Sequence, residues 1–156
     1  MTGPDLASGP AALAAEFRGL PGGPMVALSA HDGTVLEIVA ASGQHARLAE
    51  ETQLLHLSSP ARDAAASGCP ITVTDLPRTH AWPDCRDELL YWGVCALQCQ
   101  PLIEPGPGRI AAVLTVYADN RHTFTTGLAD ALRPLYRDAL RTVTNRSFGP
   151  RHERFR

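Results

Sequence analysis

Lysine is absent from this chain of 156 residues, and its acidic and basic side chains are few and nearly balanced. All 14 cationic side chains are arginine, against 16 acidic ones, so the net charge is −2 and charged residues make up only 19%. A nucleic-acid-binding surface carries a basic excess, and a disordered chain has few hydrophobic residues. Hydrophobic residues make up 44% here. The composition therefore predicts one globular domain that does not bind nucleic acid.

Long apolar runs, an N-terminal secretion signal and CxxC pairs are also missing. No stretch approaches the ~18 to 20 apolar residues that a membrane helix needs, so we expect a cytoplasmic protein without membrane contact. If Cys95 and Cys99 share a strand, they lie about 13 Å apart, which is too far for a disulfide or a shared metal. The sequence predicts no metal site and four reduced thiols: Cys69, Cys85, Cys95 and Cys99.

What is present is an ordered series of helix and strand patterns. Pro and Gly residues delimit the segments, and Asp32-Gly33 between two apolar runs predicts a hairpin. Helices are predicted at Pro10–Gly19, Gln44–Leu55, Pro60 up to Gly68, Trp82 to Trp92, and Thr126–Arg146, the last with a kink at Pro134. Strands are predicted at Met25–Ala30, Thr34–Ala41, Pro70–Val73, Val94–Leu102 and Arg109–Ala118. The fold class is therefore α+β with an antiparallel sheet, spanning residues 10–146 between flexible ends at 1–9 and 147–156.

Five local patterns in this order resemble the GAF family of small-molecule sensor domains, over about residues 10–144. They are Ala40-Ala41-Ser42-Gly43, the segment from Ala65 through Gly68-Cys69-Pro70 to Asp75-Leu76, Trp82-Pro83, Gly93-Val94 to Pro101-Leu102, and Ile110–Tyr117 followed by Phe124-Thr125. The resemblance implies terminal helices on one face of the sheet. It also implies a pocket on the other face, roofed by the loops and helices between the second strand and the Val94 strand.

Within this family, the stretch from Glu51-Thr52-Gln53-Leu54 to Pro60 is similar to GAF domains that bacteria place ahead of an RNA-binding ANTAR module. The chain ends near where that module would start. It also has Leu57-Ser58-Ser59-Pro60 where those relatives usually carry two glycines before the proline. Glycine reaches positive φ easily, so we expect a differently shaped loop beside the pocket.

Candidate pocket residues follow from the alternation of side chains along strands. In the Val94 strand Ala96, Gln98 and Gln100 share one face, and buried amides need hydrogen-bond partners that a polar ligand could supply. Thr115 and Tyr117 share a face of the last strand, and Thr115 stands where many GAF domains carry a small polar pocket residue. His80, Trp82, Tyr91 and Trp92 are candidates for an aromatic wall, although tryptophan is more often a packing residue.

The favoured hypothesis is a stand-alone regulatory domain that binds an unidentified small molecule and signals through a homodimer of the terminal helices and a protein partner. The cofactor, if any, is unknown. An interaction scaffold with an empty or collapsed pocket is one alternative, and an enzyme resembling free methionine-(R)-sulfoxide reductases is another. The enzyme would need a thiol of lowered pKa, for which Cys85 beside Arg86 is the candidate. Bilin attachment at Cys85 and haem ligation by His45, His56 or His80 are minor alternatives. The sequence predicts no catalytic residue.

Overall fold

The structure is a computed structural model that describes residues 9–148. Within this range the chain forms five α-helices, five strands and short 3-10 turns at Leu76–Arg78 and Arg121–Thr123. The helices are α1 Pro10–Arg18, α2 Gln44–Leu55, α3 Pro60–Ser67, α4 Pro83–Tyr91 and α5 Thr126–Phe148. The strands are β1 Met25–His31, β2 Leu36–Ala41, β3 Ile71–Val73, β4 Ala96–Ile103 and β5 Ile110–Ala118.

The five strands form one antiparallel sheet in the order β2-β1-β5-β4-β3. The hairpin between β1 and β2 forms as the sequence predicts, because Asp32 accepts hydrogen bonds from the backbone N–H groups of Thr34 and Val35 and Gly33 takes a positive φ of 103°. The expected α+β fold with an antiparallel central sheet is confirmed.

Helices cover both faces of this sheet. Helices α1 and α5 pack against β1, β2 and β5 on one face, where buried side chains are apolar, among them Phe17, Leu28 and Leu132. Helices α2, α3 and α4 cover the other face, with α2 over β1 and β2 and α3 over β4 and β5. We call these the α1/α5 face and the α2–α4 face.

Most predicted boundaries agree with the structure within two residues. Ser59 caps α3 by accepting a 3.2 Å hydrogen bond from the N–H of Arg62, and Gly68 ends that helix at φ 72°. Strand β4 begins at Ala96 rather than Val94, because the N–H of Val94 instead bonds to the carbonyl of Leu89 at the end of α4.

Helix α5 runs through Pro134 as one helix and continues two residues past the predicted boundary at Arg146. The other residues of the predicted flexible ends, 1–8 and 149–156, lie outside the described residues. Within residues 9–148, no helix combines the length and apolar character that a bilayer crossing demands.

Candidate functional site

Six polar or sulfur-bearing side chains lie fully buried between the sheet and α2, and we call them the buried polar cluster. The face to which each strand residue points can be read from the strand pairing. Side chains alternate between the two faces along a strand, and residues paired across neighbouring strands point to the same face. Thr115 pairs with both Ala27 and Cys99, so their side chains share the α2–α4 face. The cluster consists of Ser29 from β1, Glu50 and Gln53 from α2, Cys99 from β4, and Thr115 and Tyr117 from β5.

A continuous chain of hydrogen bonds joins the cluster. The two carboxyl oxygens of Glu50 have different partners. The Ser29 hydroxyl lies 2.5 Å from Oε2, and the Tyr117 hydroxyl lies 2.5 Å from Oε1. The Gln53 amide donates to Tyr117 Oη at 2.8 Å, and its own oxygen accepts from the N–H of Ala61 at 2.7 Å. The cluster therefore links strands β1 and β5 to both α2 and the first turn of α3.

Cys99 contributes weaker contacts to the same cluster. Its sulfur accepts from the Thr115 hydroxyl at 3.5 Å and lies 3.9 Å from Gln53 Nε2. Sulfur is a weak acceptor, so these two contacts hold the Thr115 and Gln53 side chains less firmly than the oxygen acceptors do.

Burial dominates the electrostatics of the cluster. Desolvation raises the pKa of Glu50 above its ordinary value, and the hydrogen bonds from Ser29 and Tyr117 only partly oppose this shift. Burial together with the charge of Glu50 raises the pKa of Tyr117 well above its ordinary value. Since hydroxyls both donate and accept, a neutral Glu50 carboxyl can be satisfied by these two partners. The cluster can therefore hold an uncharged acid in the core.

The glutamines predicted to line the pocket do not face this cluster. Gln98 pairs with Val116 and Gln100 with Leu114, whose side chains belong to the α1/α5 core. The register of β4 against β5 places Cys99 opposite Thr115, so the candidate pocket residues Ala96, Gln98 and Gln100 lie on the other face of the sheet and do not line one pocket with Thr115 and Tyr117. Gln98 and Gln100 instead line a groove of about 360 Å³ beside α5, together with Phe124, Leu128 and Tyr136.

Comparison with known proteins identifies the fold. No protein-family model and no curated protein matches the chain. Among solved structures, a domain assigned to a two-component sensor histidine kinase from Sinorhizobium meliloti 1021 is similar at 16% identity and TM-score 0.66, with 94% of each chain covered. A GAF domain/HD domain protein from Geobacter sulfurreducens is similar at 14% identity and TM-score 0.64, with 88% of this chain and 91% of that one covered. The chain has a GAF fold.

The same GAF fold carries an enzyme among the similar structures. The type II free methionine-R-sulfoxide reductase from Thermoplasma acidophilum matches at 12% identity and TM-score 0.58, with 78% of this chain and 79% of that one covered. Because sensor domains and a reductase share this architecture, function depends on the side chains that each chain places on the fold.

The four predicted aromatic residues do not form one wall on this fold. Trp82 lines a groove at the C-terminal end of α2 and donates from its indole nitrogen to Asp63 at 2.8 Å. Trp92 instead meets the ring of His45 edge-on near the start of α2. His80 and Tyr91 are exposed. The 12 residues of α2 separate the two tryptophans, so the expected common wall is wrong.

The thiols of Cys85 and Cys99 are buried on the α2–α4 face. Burial, with the nearby charges of Glu88 and Glu50, raises the pKa of Cys85 to about 12. Burial likewise raises the pKa of Cys99 to about 12. Both thiols are therefore protonated at neutral pH, and the neighbouring Arg86 does not activate Cys85 because its guanidinium bonds to Asp87 and to the carbonyl of Thr79. Within residues 9–148, no three side chains of His, Cys, Asp or Glu are grouped as metal ligands.

The sequence did not lead us to Ser29, Glu50 or Gln53, although a signal for two of them is present. The buried positions of α2 include Ala46, Ala49, Glu50 and Gln53, which follow the spacing of one helical face. Polar residues on the same face as buried alanines indicate polar groups turned toward the core. Ser29 lies inside an apolar strand and gives a weaker signal of the same kind.

Proposed function

We propose that this GAF domain is a regulatory sensor that binds a small polar molecule at the buried polar cluster. The observation that carries the proposal is the placement of a carboxyl, an amide and three hydroxyls in the core beneath α2, where burial of polar groups is costly. The similarity of the fold to a domain assigned to a two-component sensor histidine kinase supports a sensory role. A ligand bearing hydrogen-bonding groups would replace the contacts that Glu50 and Gln53 now make with the sheet.

Helix α2 is the element that would respond to such a ligand. It supplies Glu50 and Gln53 to the cluster, and it also packs against β1, β2, α3 and α4. A ligand that bonds to Ser29 and Tyr117 in place of Glu50 would favour a second position of α2. Differential affinity for two positions of the helix would then shift their populations.

Other expected site residues take different places in this proposal. Thr115 and Tyr117 belong to the ligand site, whereas Gln98 and Gln100 would contact a ligand only in the separate groove beside α5. We also propose that α1 and α5, which pack on one another within the chain, carry the homodimer contact. A protein partner would receive the signal.

The interaction scaffold is the second candidate function, and one observation favours it. Each polar side chain of the buried polar cluster already has hydrogen-bond partners within the protein. A scaffold needs a stable core and no ligand, and such a self-satisfied cluster would provide the core. A thiol-based reductase receives no comparable support, since Cys85 is 1% exposed.

A ligand screen with two matched variants separates the sensor from the scaffold. We would measure the thermal unfolding of the protein against a library of polar metabolites and record native mass spectra of the purified protein. A ligand at a hundred times its Kd should stabilise the protein by about 2.7 kcal/mol. Thr115→Val removes a hydroxyl from the cluster with little change in shape, whereas Gln98→Ala changes the opposite face of the sheet.

The sensor hypothesis predicts stabilisation of the wild type and Gln98→Ala, and weaker stabilisation of Thr115→Val. A ligand affected by Gln98→Ala and not by Thr115→Val would move the site to the groove beside α5 and contradict the proposal. If no molecule stabilises or accompanies the protein, the scaffold is favoured.

A further inference from the structure

Two leucines at the junction of α2 and α3 are exposed to an unusual degree. Leu57 is 97% exposed and Leu55 is 80% exposed. They flank a groove of about 340 Å³ whose opposite wall is Trp82, Pro83 and Asp84 at the start of α4. We call this the Leu57 groove. Contiguous exposed apolar side chains mark interaction surfaces, and tryptophan is the residue type most enriched where binding energy concentrates.

The loop that presents these leucines is held in place. Arg62 reaches back from α3 and donates to the backbone carbonyls of Leu54 and His56, the latter at 2.6 Å. His56 also bonds to Glu88 of α4 at 2.9 Å. Because the segment is fixed from both neighbouring helices, the exposure of Leu55 and Leu57 is built into the fold.

The opposite wall of the groove is also preformed. Trp82 has φ 51° and is the only described residue other than glycine with a positive φ. Its indole nitrogen donates to Asp63 of α3 at 2.8 Å, which holds the ring beside the groove. Backbone conformations of this kind are unfavourable and persist where the surrounding contacts impose them, which is common at binding sites. A preformed surface loses little conformational entropy when a partner binds.

Among the residues that line the Leu57 groove, Asp84 carries a carboxylate and none is an arginine. Asp84 lines the groove and Asp63 holds Trp82, and neither carboxylate has an ion-pair partner among residues 9–146. Arg62, which follows Pro60 and Ala61 at the start of α3, directs its guanidinium at the backbone carbonyls of Leu54 and His56. A partner with positive charge beside an apolar row would complement both features of the surface.

We propose that the Leu57 groove binds an amphipathic helix of a partner protein, with apolar side chains at helical spacing and arginine or lysine on the flank that meets Asp63 and Asp84. An apolar helical row recognised in a groove is a recurrent mode of binding. The site is separate from the buried polar cluster. It would supply the partner contact of the proposed regulatory function, and its occupation requires no small molecule.

A selection from a peptide library tests this surface without knowledge of the natural partner. Phage-displayed 16-residue peptides would be selected on the full chain and counter-selected on Leu57→Ser. The enriched peptides would then be synthesised and titrated against the protein. The chain contains two tryptophans, so a Trp92→Phe background makes Trp82 fluorescence a reporter of the groove. Val35→Ser is the matched control, because Val35 is 57% exposed on the β1–β2 hairpin and is not among the residues that line the groove.

We expect enriched peptides to carry apolar residues at helical spacing together with Arg or Lys. Leu57→Ser should weaken their binding at least tenfold, Asp84→Asn should weaken it two- to fivefold in low salt, and Val35→Ser should leave it unchanged within twofold.

The proposal fails if no peptide is enriched, if Leu57→Ser and Val35→Ser have equal effects, or if acidic peptides bind equally well. It also fails if sedimentation shows that the groove binds a second copy of the chain or if it binds neutral lipid vesicles instead. None of these outcomes bears on the metabolite screen, so the two proposals fail independently.

Discussion

The two faces of the sheet are covered by helices in different ways. On the α1/α5 face the buried side chains are apolar, with Phe17 and Leu132 packed against Leu28 and Leu114. On the α2–α4 face apolar residues surround the fully buried Glu50, Gln53 and Tyr117. Apolar packing has many nearly equivalent solutions, whereas a hydrogen-bonded core accepts few arrangements. The comparison indicates that the first face supplies stability and the second fixes the position of α2.

The difference also concerns which helix can move. Displacing α1 or α5 exposes apolar surface that nothing but another apolar group can cover. Displacing α2 frees the hydroxyls of Ser29 and Tyr117, which a polar molecule or water can satisfy. A polar ligand can therefore offset part of the cost of shifting α2, and this is the physical basis for placing the sensor site there.

The largest effect is expected on the apolar face. Phe17 is fully buried, and Phe17→Ala removes a large ring and leaves a cavity between α1 and the sheet. We expect the free energy of unfolding to fall by about 3–5 kcal/mol, measured by urea denaturation. Ala15→Ser, at an exposed position of α1, is the control. A loss below about 1 kcal/mol for Phe17→Ala would show that α1 does not form part of the core.

A smaller loss is expected when the polar cluster is broken. Glu50→Ala removes the partner of the Ser29 and Tyr117 hydroxyls and should cost about 2–4 kcal/mol, because buried donors are left without acceptors. Replacing all three groups in Ser29→Ala/Glu50→Met/Tyr117→Phe should restore most of that loss, since apolar groups of similar shape need no partners. Urea denaturation of both variants measures the difference.

The triple variant should nevertheless keep a deficit of about 1 kcal/mol, because the Gln53 amide loses its acceptor on Tyr117. If the triple variant were as unstable as Glu50→Ala, the hydrogen bonds of the cluster would themselves contribute the stability that Glu50→Ala loses. The contrast between the two faces would then be wrong.

The sequence predicted the fold better than it predicted the site. Turn and cap residues such as Asp32-Gly33, Ser59 and Gly68 act locally, so the helices and the hairpin could be located from single segments. Which side of β4 faces α2 depends instead on the register of β4 against β5. A shift of one residue exchanges the two faces, and no local signal in Val94–Leu102 favours the side of Cys99 over that of Gln98.

Residues joined across long distances in the chain were the hardest to predict. Glu50 meets Ser29 and Tyr117, which are 21 and 67 positions away. A glutamate on a helix is usually solvated, and only its place in the row of Ala46, Ala49 and Gln53 indicates burial. Tyr117 was expected in the site, but its partners become visible only when α2 is placed over the sheet.

The last expected effect is a pH dependence of stability that the buried Glu50 contributes. Burial raises the pKa of Glu50 above its ordinary value of 4.5, so the folded protein retains a proton that the unfolded chain loses. The stability associated with protonated Glu50 is complete below pH 4.5 and declines as the pH rises toward the folded pKa. The slope is at most about 1.4 kcal/mol per pH unit. Glu50→Gln keeps a neutral group at this position and should remove the decline.

The measurement is the difference in unfolding free energy between Glu50→Gln and the wild type at several pH values from 4 to 8. Glu51→Gln is the matched control on the same helix, because Glu51 is exposed and forms a surface ion pair with Arg47. We expect Glu50→Gln to gain on the wild type as the pH rises, while Glu51→Gln follows the wild type. Parallel pH profiles for all three proteins would mean that Glu50 is ionised in the folded state. The buried polar cluster would then hold a charge in its core, and a cationic ligand would become the better match for the site.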